Sequence, residues 1–159
     1  CPLGLIKSRY DIDALLSHNC SVIMVDRDDF MRDQSENRLR FSIAHEIGHL
    51  VLHRQIYSEI TLETPQDWLE FHKYIPQKTV SALDFQANEF AGRLLVPTNV
   101  LVSLFEEHIN KKDYQDLPKH IRISEEAKAY ISSSICKEFG VSDQVVTRRV
   151  ERENLWPPE

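Results

Sequence analysis

Apolar positions recur with a helical period along most of this 159-residue chain and alternate as in a strand only in short stretches. In residues 41–53, Ile43, Ile47, Leu50 and Val51 return every three to four positions, which predicts a helix with one buried face. A second stripe of Leu83, Ala87, Phe90, Ala91 and Leu94 predicts a helix over 81–96, stopped by Pro97. Thr98 is placed to cap a third helix to about Asn110, with Val100, Leu101, Leu104 and Phe105 on its apolar side. Ser124-Glu125-Glu126 opens a further helix with acids in its first turn. Gly140 fits that helix's left-handed C-terminal position, and Ser142 is placed to cap a last helix to about Glu153. Residues 64–75 also read as a helix, with Thr64 as cap, Pro65 in the first turn, and Trp68, Phe71 and Ile75 at helical spacing. Strand signals are few. Residues 21–25 are the best, and 3–6 and 60–62 are short candidates. Residues 11–16 read as a short helix. The charged, non-periodic stretch 26–37 reads as a loop, and 111–123 as a polar connection. No internal repeat is visible.

Composition narrows the class. At 42% hydrophobic and 28% charged residues the chain is that of a globular protein, long enough for one domain with a real core. Four glycines favour helices over a turn-rich all-β fold. A net charge of −6 disfavours broad electrostatic binding to nucleic acid or to an anionic membrane. No apolar run approaches the ~20 residues of a membrane span, and the N-terminus does not resemble a secretory signal. Cys1, Cys20 and Cys136 are odd in number and lack a C-x-x-C spacing. A disulfide framework is therefore not expected, the chain reads as cytoplasmic, and none of the three is a convincing nucleophile.

The chemistry sits in the first predicted helix. His45-Glu46-Ile47-Gly48-His49 is an H-E-x-x-H motif. On a helix the two histidines lie about 6 Å apart along the axis and roughly 40° apart around it, so both imidazoles reach one ion. Neutral imidazole suits Zn²⁺. Glu46 stands one position round, where a carboxylate takes a proton from metal-activated water. Gly48 in a helix interior costs about 1 kcal/mol against Ala and marks the close approach of another segment. His53 is read as a surface or structural histidine. In the metzincin pattern a third His stands six residues after the second and a Gly three after it; those positions here are Gln55 and Leu52, so the third ligand comes from elsewhere.

A zinc hydrolase commonly has three protein ligands and one open position. Asp84 and Asn88, four apart on the second helix, supply a carboxylate and a polar residue that orients a ligand histidine. Glu89 is the competing carboxylate. It lies roughly 140° round the helix from Asp84, and placing it on the metal would turn Asp84 and Asn88 away. Asp is shorter than Glu by about 1.5 Å, so an Asp84 ligand requires the two helices to approach closely.

The H-E-x-x-H segment, preceded by Arg38-Leu39-Arg40-Phe41-Ser42-Ile43-Ala44 and followed by Leu50-Val51-Leu52-His53, resembles the core of the ImmA/IrrE family of metallo-endopeptidases. So does Asp84-Phe85-Gln86-Ala87-Asn88-Glu89-Phe90-Ala91-Gly92-Arg93-Leu94-Leu95-Val96-Pro97. Phe139-Gly140-Val141-Ser142 resembles the junction of the family's closing helix pair. The resemblance spans roughly residues 21–156, with a poorly matching stretch between His53 and Leu83. It implies an α+β, gluzincin-like fold in which a small β-sheet packs on a helical bundle carrying the H-E-x-x-H helix. The expected organisation is one metallopeptidase domain over 1–159. Its sheet region lies at 1–40, its zinc-site helices at 41–110 and its C-terminal helix pair at 120–159. The resemblance also implies zinc held by His45, His49 and position 84, with Glu46 as general base and a helix-turn-helix repressor as substrate. Position 84 is Asp where the family usually has Glu.

The expected activity is peptide-bond hydrolysis, with Glu46 moving the proton. An oxyanion donor is also needed, and Tyr57, Tyr74, Tyr114, His108 and His120 are open candidates. One alternative is a non-catalytic metal-binding partner of a repressor or a toxin–antitoxin pair; the presence of Glu46 weighs against it. Another is DNA binding through residues 124–153. There, Lys128, Lys137, Arg148, Arg149 and Arg152 are matched by a larger number of acids, which leaves no basic face.

Overall fold

The computed structural model describes residues 12–17, 20–58, 67, 70 and 73–158. The expectations at 3–6, at 60–62 and over most of 64–75 lie outside the described residues. The chain divides into two compact units, Cys1–Ala91 and Gly92–Glu159.

Among its described residues the first unit begins with a two-stranded antiparallel sheet, β1 (Ala14–Leu16) and β2 (Ile23–Val25), in the register Ala14↔Val25, Leu15↔Met24 and Leu16↔Ile23. The strand expected near 21–25 is present. The helix expected over 11–16 is not, because Ala14–Leu16 is strand. A helix of that length is marginal alone, and non-local partners decide the outcome. Ala14 and Leu16 turn the same way into the interior, at 2% and 5% exposure. The Leu16 amide donates to Glu46 Oε2 at 2.8 Å, and the Asp13 carbonyl accepts from the Asp26 amide at 2.8 Å.

The loop expected over 26–37 is also corrected. Asp26 caps a one-turn helix, α1 (Arg27–Phe30), by accepting from the Asp28 and Asp29 amides, and a 3₁₀ turn follows at Asp33–Ser35. Short polar side chains at the cap, rather than apolar periodicity, make this structure. Helix α2 (Glu36–Leu52) carries the H-E-x-x-H segment. Its buried face is Leu39, Ala44, Gly48 and His49, while Val51 is 60% exposed. The apolar stripe read from Ile43, Ile47, Leu50 and Val51 is thus a half-buried flank, and small residues with a histidine face inward. Arg38 Nε donates to the buried Asp13 carboxylate, which tethers α2 to the segment leading into β1. A short helix, α3 (Arg54–Ser58), follows.

Helix α4 (Gln77–Leu95) starts four residues earlier than expected, because the Pro76 carbonyl already accepts the Val80 amide at 3.3 Å. Ala87 and Ala91 are fully buried. A methyl group added to Gly48 would lie 3.0 Å from Ala87 Cα, which is the close approach that Gly48 foretold. Leu94 does not join the buried face; it is 49% exposed, and its neighbour Leu95 packs on the core of the second unit instead.

The second unit is helical. Helices α5 (Thr98–Ile109), α6 (Lys112–Gln115), α7 (Lys119–Arg122), α8 (Glu125–Phe139) and α9 (Asp143–Arg152) enclose a core that includes Leu101, Phe105, Ile131, Ile135, Val146 and Val150. Pro97, not Thr98, occupies the cap position of α5. The Thr98 hydroxyl accepts instead from the Arg149 guanidinium at 3.0 Å. Ser124 Oγ caps α8 by accepting from the Ala127 amide. Gly140 ends α8 at φ 60°, ψ 45°, the left-handed conformation that glycine adopts without strain. Ser142 stands at the cap of α9 with extended backbone and no side-chain cap bond. Lys128 and Arg149 are buried in ion pairs, the first with Glu125 and Glu151 and the second with Glu153. Among the described residues, no helix is long and apolar enough to cross a membrane.

Candidate metal centre

His45 and His49 come from consecutive turns of α2, and Asp84 from α4. The Nε2 atoms of the two histidines lie 2.9 Å apart, and Asp84 Oδ1 is 3.5 Å from His49 Nε2. One ligand atom from each residue falls within 4.8 Å of the other two. In a tetrahedral site with Zn–N of about 2.0–2.1 Å, two ligand nitrogens sit about 3.3 Å apart, so this spacing fits such an ion with small adjustments. The donor set, two imidazoles and a carboxylate, is one that zinc takes. His49 is buried and His45 half-buried, and the Asp84 side chain is 50% exposed. Glu89 is not in the converging group.

His45 Nδ1 lies 2.9 Å from Asn88 Oδ1. An amide oxygen only accepts, so His45 donates from Nδ1, and its lone pair is on Nε2, facing His49. Burial and the neighbouring His49 both push the His45 pKa down, which favours the neutral, metal-ready ring.

Glu46 points into the same cleft. Burial pushes its carboxyl up to about 7, against the opposing pull of His49 and of the Leu16 amide. A carboxyl poised near neutrality both takes and returns a proton at working pH. The cleft is about 370 Å³ in volume. Its walls are β1 with Ile12 and Asp13, the α2 side chains Phe41, Ser42, His45, Glu46 and His49, then Tyr57, and Asp84 and Asn88 from α4.

Of the five open oxyanion candidates, Tyr57 lines this cleft. Its hydroxyl is 3.3 Å from His49 Nδ1. Burial, with the charges of Glu46 and Asp84, holds the phenol above its usual range and therefore protonated. Tyr74 is 76% exposed. Tyr114 donates to the Arg122 carbonyl, and His108 bonds the Leu104 carbonyl.

The sequence pattern assigns no role to Gln86 and reads His53 as a surface or structural histidine. His53 is 3% exposed and lies against both His49 and Gln86. The available signal was the spacing of three histidines, 45, 49 and 53, each one turn apart on the same face.

A small antiparallel sheet packed on a histidine-bearing helix, with a carboxylate-bearing helix beside it, is the architecture of a gluzincin-like metallopeptidase. The Peptidase_M78 family model, an IrrE N-terminal-like domain, matches residues 31–151, and the chain belongs to that family. No curated protein and no solved structure matches the chain.

Proposed function

We propose that this chain is a zinc-dependent endopeptidase that acts in the cytoplasm on a regulatory protein, with a helix-turn-helix repressor as the expected substrate. Convergence of His45, His49 and Asp84 in a cleft that also holds Glu46 is the observation that carries this reading. His45, His49 and Asp84 would hold the ion, and Asn88 orients His45. When bound, zinc lowers the pKa of water and polarises the scissile carbonyl.

The chain's own residues do the rest. Glu46 takes the proton of the attacking water and hands it to the leaving amine. The Leu16 amide fixes the Glu46 carboxylate against β1, so its position does not depend on side-chain rotamer alone. Tyr57 supplies a hydroxyl to the negative charge that develops on the carbonyl oxygen. Gly48 and Ala87 let α2 and α4 close to the distance that a short Asp84 ligand requires. DNA binding by the C-terminal helices is disfavoured. Two of their five cations, Lys128 and Arg149, are buried in ion pairs.

The test is cleavage of a purified helix-turn-helix repressor by the zinc-loaded protein, compared with Glu46→Gln. The wild type is expected to cut it. The variant should keep fold and zinc and lose at least ~10²-fold in rate, the lower bound for loss of a general acid–base group. A variant that cuts at the wild-type rate refutes the role of Glu46. A wild type that, fully loaded with zinc, cleaves neither the repressor nor an unfolded protein substrate refutes the endopeptidase reading.

A further inference from the structure

The metal group continues away from the cleft through the buried His53 at the end of α2 and the exposed Gln86 on α4. We propose that His53 and Gln86 are a positioning pair that locks His49 in the tautomer whose Nε2 lone pair faces the metal position. This rests on the zinc reading above and assigns His49 a support distinct from the Asn88 that orients His45.

Proton counting, with an ion at the two Nε2 atoms, fixes the direction of each bond. Gln86 Oε1 only accepts, so His53 donates to it from Nε2 across 2.8 Å. A neutral imidazole carries one N–H, which leaves His53 Nδ1 as an acceptor. That atom is 3.0 Å from His49 Nδ1. Either His49 tautomer sets two lone pairs face to face, at Nδ1 against His53 or at Nε2 against His45; an ion at the Nε2 atoms relieves only the second contact, so with the ion bound His49 donates from Nδ1 and keeps its own lone pair on Nε2. Tyr57 Oη, 3.3 Å from the same His49 Nδ1, takes a share of that N–H and keeps its hydroxyl proton available to the cleft. Asn88 has the same effect on His45.

The result is two imidazole lone pairs 2.9 Å apart beside a carboxylate oxygen at 3.5 Å. Three acceptors then converge with no proton among them, an arrangement that a cation satisfies and that is unfavourable without one. In the opposite His49 tautomer an Nε2–H would point at the metal position and compete with the ion. His53 is 3% exposed, so no bulk water stands ready to replace it as acceptor.

The test uses the full chain. His53→Leu removes the acceptor. His53→Asn is smaller than histidine but keeps an oxygen close to where Nδ1 stood. Zinc affinity is read by competition with a chelating dye, and the melting of each metal-free protein serves as the structural control. His53→Leu should bind zinc about 10–100-fold more weakly, as for lost hydrogen-bond support of a ligand histidine, and His53→Asn should stay close to wild type. Gln86→Leu should weaken binding in the same direction.

Long-range ¹H–¹⁵N spectra of the zinc-loaded wild type supply a readout without substitution. The expected pattern is His53 protonated at Nε2 and His49 at Nδ1. His53 protonated at Nδ1 overturns the proposal, as does a folded His53→Leu that binds zinc like wild type. These outcomes leave the zinc reading standing. A wild type that takes up no zinc removes that reading and the positioning pair together.

Discussion

Replacing Gly48 by Ala asks whether one close contact sets the spacing of the two helices that carry the metal group. The new methyl would lie 3.0 Å from Ala87 Cα, 3.1 Å from Ala87 O and 3.3 Å from Phe90 Cβ. Carbon atoms prefer about 3.5–4.0 Å, so α2 and α4 must part by roughly 0.5–1 Å. Two of the three obstructing atoms are backbone and cannot rotate away. Ala gains about 1 kcal/mol over Gly in helix propensity. Overpacking of this kind costs about 1–3 kcal/mol. The metal-free protein should therefore lose about 0–2 kcal/mol, where an open helical site would gain stability.

The effect on metal is sharper. Ligand distances tolerate about 0.2 Å, and an aspartate has no spare reach. Zinc binding should weaken by about tenfold or more, the scale on which ligand support acts. Urea unfolding of the metal-free form and chelator competition for zinc measure the two effects. Gly92→Ala is the control. Its nearest heavy atom would be Arg149 Cδ at 3.2 Å, a side-chain atom outside the metal group, and zinc affinity should not change. A Gly48→Ala protein with raised stability and wild-type zinc affinity would show that the contact does not set the site.

Tyr57→Phe should lower kcat by about 10²-fold with KM little changed, the signature of a donor that acts in the transition state; steady-state kinetics on a cleaved substrate measures this, and an unchanged kcat removes Tyr57 from the mechanism. Ile135 is fully buried in the core of the second unit, so Ile135→Ala should lower unfolding stability by about 2–5 kcal/mol in a denaturant titration. A loss under 1 kcal/mol would mean that this core is loosely packed.

The elements that rest on local signals were legible in the sequence. Helical period gave α2, α4 and α5, and cap chemistry gave the ends of α8 at Ser124 and Gly140. The strand Ala14–Leu16 was not legible, because its pairing to Ile23–Val25 and the bond from Leu16 to Glu46 are non-local, and three residues carry no period of their own. The one-turn helix after Asp26 was hidden for the opposite reason: it is made by a cap and has no apolar stripe. At the site, motif spacing brought forward His45, Glu46 and His49, and helical geometry chose Asp84 over Glu89. His53 was seen but assigned no role. Its significance depends on Gln86, more than thirty residues away in sequence, and only the fold brings the two within 2.8 Å. Tyr57 stood among five equivalent candidates until the cleft was in view.

Anomalous diffraction at the zinc edge, on crystals of the zinc-loaded protein, tests the central claim most directly. One strong peak per chain is expected, at bonding distance from His45 Nε2, His49 Nε2 and an Asp84 carboxylate oxygen, with Glu46 beside the remaining position. A peak bonded by Glu89 with Asp84 turned to solvent, or no peak between His45 and His49, would contradict it.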